Sequence, residues 1–551
     1  MGLSGLIGQG LSGLVASQRG LATSGHNISN ANTPGYHRQR VELAARPPSG
    51  SDNGFTGNGV AVNAIRRSYD QFLTAQIRTS TAGTGEAQTF HALASRVDNV
   101  LANSDTGLAS ALQSFFDAVH EVAADPSSLA NRQVLLTQAE GLAQRYHALD
   151  RQLTDLEQEA NGRLTGLVSE VNALAEGIAE VNREIVQAEG AAGGAPANDL
   201  RDRRDELLRQ LAEQIGFHTV EQDDGAINVL IGKGHPLVVG GSNMSLSVVA
   251  NPFDATRKEL AVAAGGSSIT VSHTLSGGAI GGILDFRDRV LTEAENALGR
   301  VAVGLAQNFN SLHRSGADRD GNPGLDFFVS IDSVTARVLG HDQNTGTSPS
   351  VTITDPAALT TSDYRLDYDG TEYVVTRLSD NNVERFSAPA GSLGVDGFEI
   401  DVSVPLSAGD RFMVRPVAAG ARKFGLLIQE PRRIAAALPD ALGGVGDNRN
   451  ALQLAHLQQD LALENGSATL AGAYGQLVAS VGAITQKAEA QRSAQEVLLN
   501  QVTDARDAVS GVNLDEEAAN LLRYQQAYEA SARFIAAADA TFNSLLDVVG
   551  R

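Results

Sequence analysis

The chain has no cysteine and no tryptophan in 551 residues. Without cysteine there is no disulfide, no thiolate metal site and no cysteine nucleophile, which removes several enzyme classes at once. Such a chain also passes from a reducing to an oxidising space with no risk of mispairing. Long apolar runs are missing too: no stretch of about 18 apolar residues exists, so no segment reads as a membrane span. The start, Met1-Gly2-Leu3-Ser4-Gly5-Leu6-Ile7-Gly8, has neither a basic n-region nor a long apolar h-region. No cleavable Sec-type signal is therefore visible. Positive charge is scarce: 42 Lys and Arg stand against 64 Asp and Glu, a formal net charge of −22. That excess repels phosphate backbones and argues against nucleic acid as a partner.

The length exceeds one ordinary core, and about three or four domains are expected. Hydrophobic periodicity divides the chain. Residues 3–30 read as an amphipathic helix that stops before Thr33-Pro34, because a residue ahead of proline is pushed to extended backbone. Two long helices are expected over 86–122 and 127–190, with Asp125 as N-cap and Pro126 in the first turn of the second. Asn198 or Asp199 caps a further helix to 215. Short apolar runs over 217–275 predict strands, and a helix returns over 279–314. Asp369-Gly370 between Tyr364–Tyr368 and Tyr373–Val375 is a hairpin signal. Residues 448–549 are helical, with a break near Ser510-Gly511.

The expected fold is mainly α with β insertions: paired N- and C-terminal coiled-coil-like helices, a long helical-bundle domain and an inserted small β domain. Residues 1–70 hold the N-terminal inner helix and a loop or hairpin connector, and 71–215 the long helical domain. A β-rich segment over 216–278 and a helix with connector over 279–345 lead to an outer β domain over 346–420. Residues 421–509 return to the rod-like helical domain, and 510–551 form the C-terminal inner helix.

Both terminal helices carry a seam. In the first, Ile7, Leu11, Leu14, Gln18, Leu21, Gly25 and Ile28 alternate steps of four and three. In the last, Leu514, Leu521, Gln525, Tyr528, Ile535, Phe542, Leu546 and Val549 keep one heptad register, with Ala518, Ala532 and Asp539 between them. An isolated helix leaves such a seam wet. The economical inference is that the two helices pair with each other and with copies in neighbouring subunits; the alternative is two unrelated amphipathic helices on separate cores. Gln18 and Gln525 would fix register as polar seam positions.

Motifs for chemistry fall short. His120-Glu121 begins like a zinc-protease motif, but Ala124 stands in place of the second histidine. Asp318, Asp320 and Asn322 have calcium-loop spacing, yet Pro323 replaces the glycine and Val329 the bidentate glutamate. Gly232-Lys233-Gly234 lacks the rest of a phosphate loop, and Gly240-Gly241-Ser242 does not complete a nucleophile elbow because Met244 ends it. Arg201, Arg203, Arg204 and Arg209, interleaved with Asp199, Asp202, Asp205 and Glu206, read as a salt-bridged helix face. No enzyme, metal or cofactor is expected.

Asn27-Ile-Ser-Asn-Ala-Asn-Thr-Pro-Gly-Tyr36 resembles the N-terminal motif of the rod, hook and hook-associated axial proteins of the bacterial flagellum. Ser510 to Ile535 resembles the C-terminal motif of the same superfamily. Asp125-Pro-Ser-Ser128, Ala197 to Asp205, Gly277 to Asp285 and Gly316 to Phe328 look like landmarks of the hook-associated branch that forms the hook–filament junction. The resemblance implies a structural subunit exported by the flagellar type III system. It implies an extracellular place at the junction, self-association in a helical ring, hook protein on one side and the second junction protein on the other. It also implies an export chaperone on the C-terminal helical region. Asn27, Asn30, Asn32, Thr33, Pro34, Gly35 and Tyr36 would form the assembly turn, with Gly35 giving a permissive backbone and Tyr36 an apolar anchor. The rival readings are another axial subunit, from rod or hook, and a secreted enzyme or adhesin on a flagellin-like frame.

Overall fold

The computed structural model describes residues 3–51, 54–103, 107–264, 267–330, 337–389, 391–440 and 444–549. Helix α1 (Leu3–Ser29) leads to β1 (Gln39–Ala45), a small hairpin β2 (Ser49–Ser51) and β3 (Gly54–Thr56), and β4 (Val60–Arg67). Strand β4 returns antiparallel to β1, with the register shifting between Glu42 and Leu43. Four helices follow: α2 (Gln71–Leu101), α3 (Leu108–Ala124), α4 (Leu129–Ala191) and α5 (Asn198–Gln214). The 63 residues of α4 span about 95 Å at the α-helical rise.

An antiparallel sheet of β5 (Phe217–Glu221), β6 (Ile227–Ile231), β7 (His235–Val239) and β8 (Ser242–Asn243) comes next. A three-stranded sheet of β9 (Leu246–Ala250), β10 (Lys258–Ala264) and β11 (Ser267–Thr270) follows it. Helix α6 (Gly278–Phe286) runs through a π turn at Arg287–Leu291 into α7 (Thr292–Ser315). The next strands are β12 (Arg337–Gly340), β13 (Ser350–Ile353), β14 (Tyr364–Tyr368), β15 (Glu372–Arg377), β16 (Val383–Ser387), β17 (Ser392–Val395), β18 (Phe398–Asp401) and β19 (Arg411–Arg415). They form one sheet in the order β12-β19-β14-β15-β16 and another in the order β13-β18-β17. The five-stranded sheet takes in β12, ahead of the expected boundary at 346. The chain ends with α8 (Gly420–Lys423), α9 (Arg449–His456), α10 (Leu470–Ser510) and α11 (Leu514–Val549).

The helical body closes around aromatic rings. Phe115 of α3 packs on Phe309 of α7 at 5.3 Å and on Phe328 at 5.6 Å. Phe328 meets Phe424 at 4.5 Å, and Phe424 meets Tyr146 of α4 at 4.7 Å. Phe327 and Phe328 are both fully buried here. Helix α10 lies along α2, and Tyr474 Oη donates to Leu101 O at 2.7 Å, sealing the end of α2.

Four boundaries differ from the sequence expectation. Helix α2 begins at Gln71, not 86, because the Asp70 carboxylate accepts from Phe72 N and Leu73 N and so caps it. Its Thr- and Gly-rich first half has poor propensity; tertiary packing keeps it helical, and Gly85 allows close approach to Glu213 O and Gly278. The 86–122 helix is two helices, parted after Leu101. Asp125 does not cap α4. Its carboxylate is taken by the Ser127 N–H and hydroxyl, and Ser128 Oγ accepts from Asn131 N at 3.2 Å. The last helical region is likewise interrupted, with a turn-rich stretch between α9 and α10.

A junction between the two ends of the chain

Helices α1 and α11 pair with each other. A Cβ added at Gly10 would meet Ile535 at 2.7 Å, one at Gly13 would meet Ser531 at 2.9 Å, and one at Gly20 would meet Tyr524 at 2.6 Å. The partner number falls as the α1 number rises, so the pair is antiparallel. The face that α1 buries is made of small residues: Gly10, Ser12, Ala16, Ser17, Gly20, Thr23, Ser24 and Asn27. Large side chains of α11 sit in the gaps that its glycines leave.

The seam read from the sequence does not coincide with the face that α1 buries. Leu11 and Gln18 are exposed, and Ile7, Leu14, Leu21 and Ile28 are half-buried. On α11, Leu521 and Ile535 are half-buried, whereas Leu514, Gln525, Tyr528 and Phe542 are exposed. The side chains of Leu546 and Val549 lie outside the described residues. The heptad count follows the greasy stripe, but the two backbones approach on the stripe that lacks side chains. Neither glutamine lies on the buried face.

The turn after α1 is built by hydrogen bonds. Asn27, fully buried, donates to Gln39 O at 2.9 Å; its side-chain oxygen accepts from Gln39 N at 2.9 Å and from the Tyr36 hydroxyl at 2.8 Å. Asn30 Nδ2 donates to His26 O at 3.0 Å, and Asn30 Oδ1 accepts from the Thr33 hydroxyl at 3.2 Å. Gly35 has φ +77, and a Cβ there would lie 3.0 Å from the Glu206 side chain. Both the backbone conformation and the approach to α5 therefore favour glycine. Tyr36 packs edge-on against His26 at 5.6 Å. Burial, with Asp199 and Asp202 nearby, pushes its phenol above the usual range. Asn32, Thr33 and Pro34 are exposed on the outer side of the turn.

The three residues after the turn join the termini to the body. His37 N donates to Asp202 at 3.0 Å, and His37 Nδ1 lies 2.8 Å from the same carboxylate. Gln39 Nε2 donates to Asp199 at 2.7 Å. Between them, Arg38 N donates to Ser510 O at 2.9 Å, and its guanidinium donates to Glu517 and Glu516, both at 2.6 Å. Arg67, at the end of β4, donates to Asp202 and Asp205, each at 2.7 Å. His37, Asp202 and Asp205 offer atoms spaced closely enough for a metal ion. The Arg67 guanidinium stands between the two carboxylates and offsets part of their charge. Its pKa is shifted by burial, which lowers it, and by Asp205 and Asp202, which outweigh burial and raise it.

The acidic positions of α5, read from the sequence as half of a solvated face, are thus the dock for the N-terminal segment. The only available signal was the spacing of Asp199, Asp202 and Asp205, three apart on one helix face. Arg201 pairs with Glu189, Arg203 with Glu184 and Arg209 with Glu206 and Glu213, but Arg204 points inward. Elsewhere, Asp318 accepts from the amides of Asp320 and Asn322, and Asp320 pairs with Arg432. His120 lies beside Gln458. Gly232-Lys233-Gly234 turns β6 into β7, and Gly240-Gly241 turns β7 into β8.

Comparison with known proteins gives three matching family models. Residues 94–328 match the flagellar hook-associated protein FlgK helical domain, 339–416 the D2-like domain of flagellar hook-associated protein 1, and 507–548 the flagellar basal body rod FlgEFG protein C-terminal family. The chain is 34% identical to flagellar hook-associated protein 1 of Salmonella typhimurium over 99% of its length and 100% of that protein. It is 32% identical to the protein of the same name in Escherichia coli, with the same coverage. Among solved structures, the flagellar hook junction protein FlgK from Burkholderia pseudomallei has the same fold. Its TM-score is 0.73 at 24% identity, over 79% of this chain and 100% of that one.

Proposed function

The chain belongs to the flagellar hook-associated protein 1 family, a structural subunit of the bacterial flagellum at the hook–filament junction, and from that premise we propose that it assembles through α1 and α11. The role is assembly, not catalysis. The observation that carries this reading is apolar surface left uncovered on the terminal pair. Leu11 is 52% exposed and Leu522 58%, and Val15, Leu514, Tyr528, Phe534 and Phe542 are exposed beside them. A two-helix pair buries too little on its own; packing of an apolar face against further helices supplies most helical stability. Neighbouring copies in a ring cover these residues. Hook protein lies below the ring and the second junction protein above it. Before assembly, an export chaperone covers the C-terminal helices, and the chain leaves through the flagellar type III channel. No helix among the described residues is long and apolar enough to cross a membrane.

The test is to replace Leu522 and Phe542 together by Asp, on the exposed side of α11. Secreted subunit that no longer supports filament attachment to hooks is the expected result. Normal filament attachment by this variant, with normal motility, refutes assembly through that face. Deletion of about 40 residues from each end tests the same claim more coarsely, and filaments that still attach refute it equally.

A further inference from the structure

An open cavity of about 490 Å³ lies where the end of β4, the start of α2, the turn at 194–196, α5 and β5 converge. Five arginines line it, Arg66, Arg67, Arg78, Arg201 and Arg204, against one carboxylate, Glu221. In a chain of net charge −22 such a concentration does not follow from composition. Three of the five are compensated: Arg66 pairs with Glu42, Arg67 with Asp202 and Asp205, and Arg201 with Glu189 at 2.7 Å and Glu221 at 3.6 Å.

Arg78 and Arg204 form no ion pair among the described residues. Arg204 is 1% exposed. Its Nη1 donates to Asn182 Oδ1 at 3.1 Å and Gly225 O at 2.7 Å, and its Nε has no hydrogen-bond partner. Burial brings its guanidinium down to about 10, with Asp205 and Glu221 opposing the fall and Arg201 and Arg67 adding to it, so it is still charged at neutral pH. Arg78 is half-buried and reaches only the Thr219 hydroxyl, at 3.4 Å. A buried guanidinium held by neutral oxygens alone is a costly arrangement unless an anion completes it.

We propose that this cavity binds a divalent oxyanion of the phosphate or sulfate class, held by Arg78 and Arg204 with Arg66 and Arg201 around it. Planar guanidinium forks match tetrahedral oxyanions in geometry as well as charge. Two cations without a direct ion pair, in a cavity with three more arginines and one carboxylate, favour a doubly charged anion. Bound there, the ion ties β4 and α2 to α5 and β5, and so steadies the joint from which the terminal pair extends.

The experiment uses the full-length chain. Sodium phosphate is titrated by calorimetry and in thermal unfolding, against sodium chloride at equal ionic strength and pH 7.5. Saturable binding is expected, with a Tm that rises with phosphate concentration beyond the chloride control, as for any ligand that binds only the folded state. Arg78→Gln, at a half-buried position, keeps the fold and weakens phosphate binding at least tenfold. Arg204→Met abolishes it; where that variant does not fold, Arg78→Gln with Arg66→Gln carries the test. Arg203→Gln, outside the cavity, binds as the parent does. Equal Tm in phosphate and chloride, undiminished binding by Arg78→Gln, or an equal loss in Arg203→Gln overturns the proposal.

Discussion

Arg38 Nε donates to the Glu517 carboxylate at 2.6 Å across 479 positions of sequence, and Glu517 is 2% exposed. This contact holds the exit of the first helix to the entry of the last. A buried pair contributes little net stability, but removing one partner strands the other charge at a cost of about 3–5 kcal/mol. Arg38→Ala is therefore expected to free the terminal pair while the helical body stays folded. Amide exchange checks this: faster exchange in 3–45 and 511–545 with unchanged protection in α4 is the expected pattern. Arg38→Met with Glu517→Leu, which removes both charges, is expected to recover most of the protection.

Gly20 and Gly25 lie on the same helix and answer opposite tests. A Cβ at Gly20 overlaps the Tyr524 ring, and one at Gly25 meets nothing within 4 Å. Gly25→Ala is expected to stabilise α1 by up to about 1 kcal/mol through helix propensity. Gly20→Ala, with the same gain in propensity, is expected to lower protection in α1 and α11 because the ring must leave. If both variants behave alike in amide exchange, the pairing face has been misassigned.

His313 is buried as a neutral ring: its Nε2 accepts from Ala435 N at 2.9 Å, and its Nδ1 faces Leu325 O as donor. Burial lowers its pKa from 6.5 to about 4. The unfolded chain takes up the proton first. The contribution to stability is therefore complete above pH 6.5 and is lost as pH falls from there toward 4. His313→Leu is expected to cost about 1–3 kcal/mol at pH 7.5, since it orphans the Ala435 amide. Its denaturation midpoint is expected to vary less than the parent's between pH 4.5 and 6.5.

Glu295 has the opposite sign. It sits under the outer β sheets with Arg415, which also pairs with Asp363, and burial raises its carboxyl to about 7 despite the arginine. The folded state holds this proton longer than the unfolded one, so its contribution is present below the ordinary carboxyl pKa and is lost as pH rises to 7. Glu295→Gln is expected to raise stability at pH 8 relative to the parent, measured by urea unfolding. A lower stability of this variant at pH 8 would mean that the charge is needed by Arg415.

Much of the fold was legible because local signals and tertiary structure agree there. Asp369-Gly370 is a hairpin turn with Gly370 at φ +100, and Pro34 follows soon after the end of α1. Asp125 misled because an aspartate before proline serves a cap or a local turn equally well, and only Ser128 Oγ reaches the α4 amides. The turn after α1 was legible as a group, since Asn27, Asn30, Thr33 and Tyr36 bond largely to one another or to near neighbours. The anchors Arg38, Arg67, Asp202 and Glu517 were not. A charged residue reads as solvated until its partner, often hundreds of positions away, is known. The α1 pairing face was hidden for a related reason: hydrophobic periodicity registers leucines, and glycines that admit a ring leave no mark in it.

Tyr474 closing the end of α2 and Glu517 holding Arg38 have one further effect, on timing. Any chain that emerges lengthwise with its first residues leading presents α1, α2 and α3 long before the segments that complete their hydrogen bonds. Contacts so distant in sequence form late and slowly. The front half waits as an open clasp, and the molecule can set only when its tail has come through.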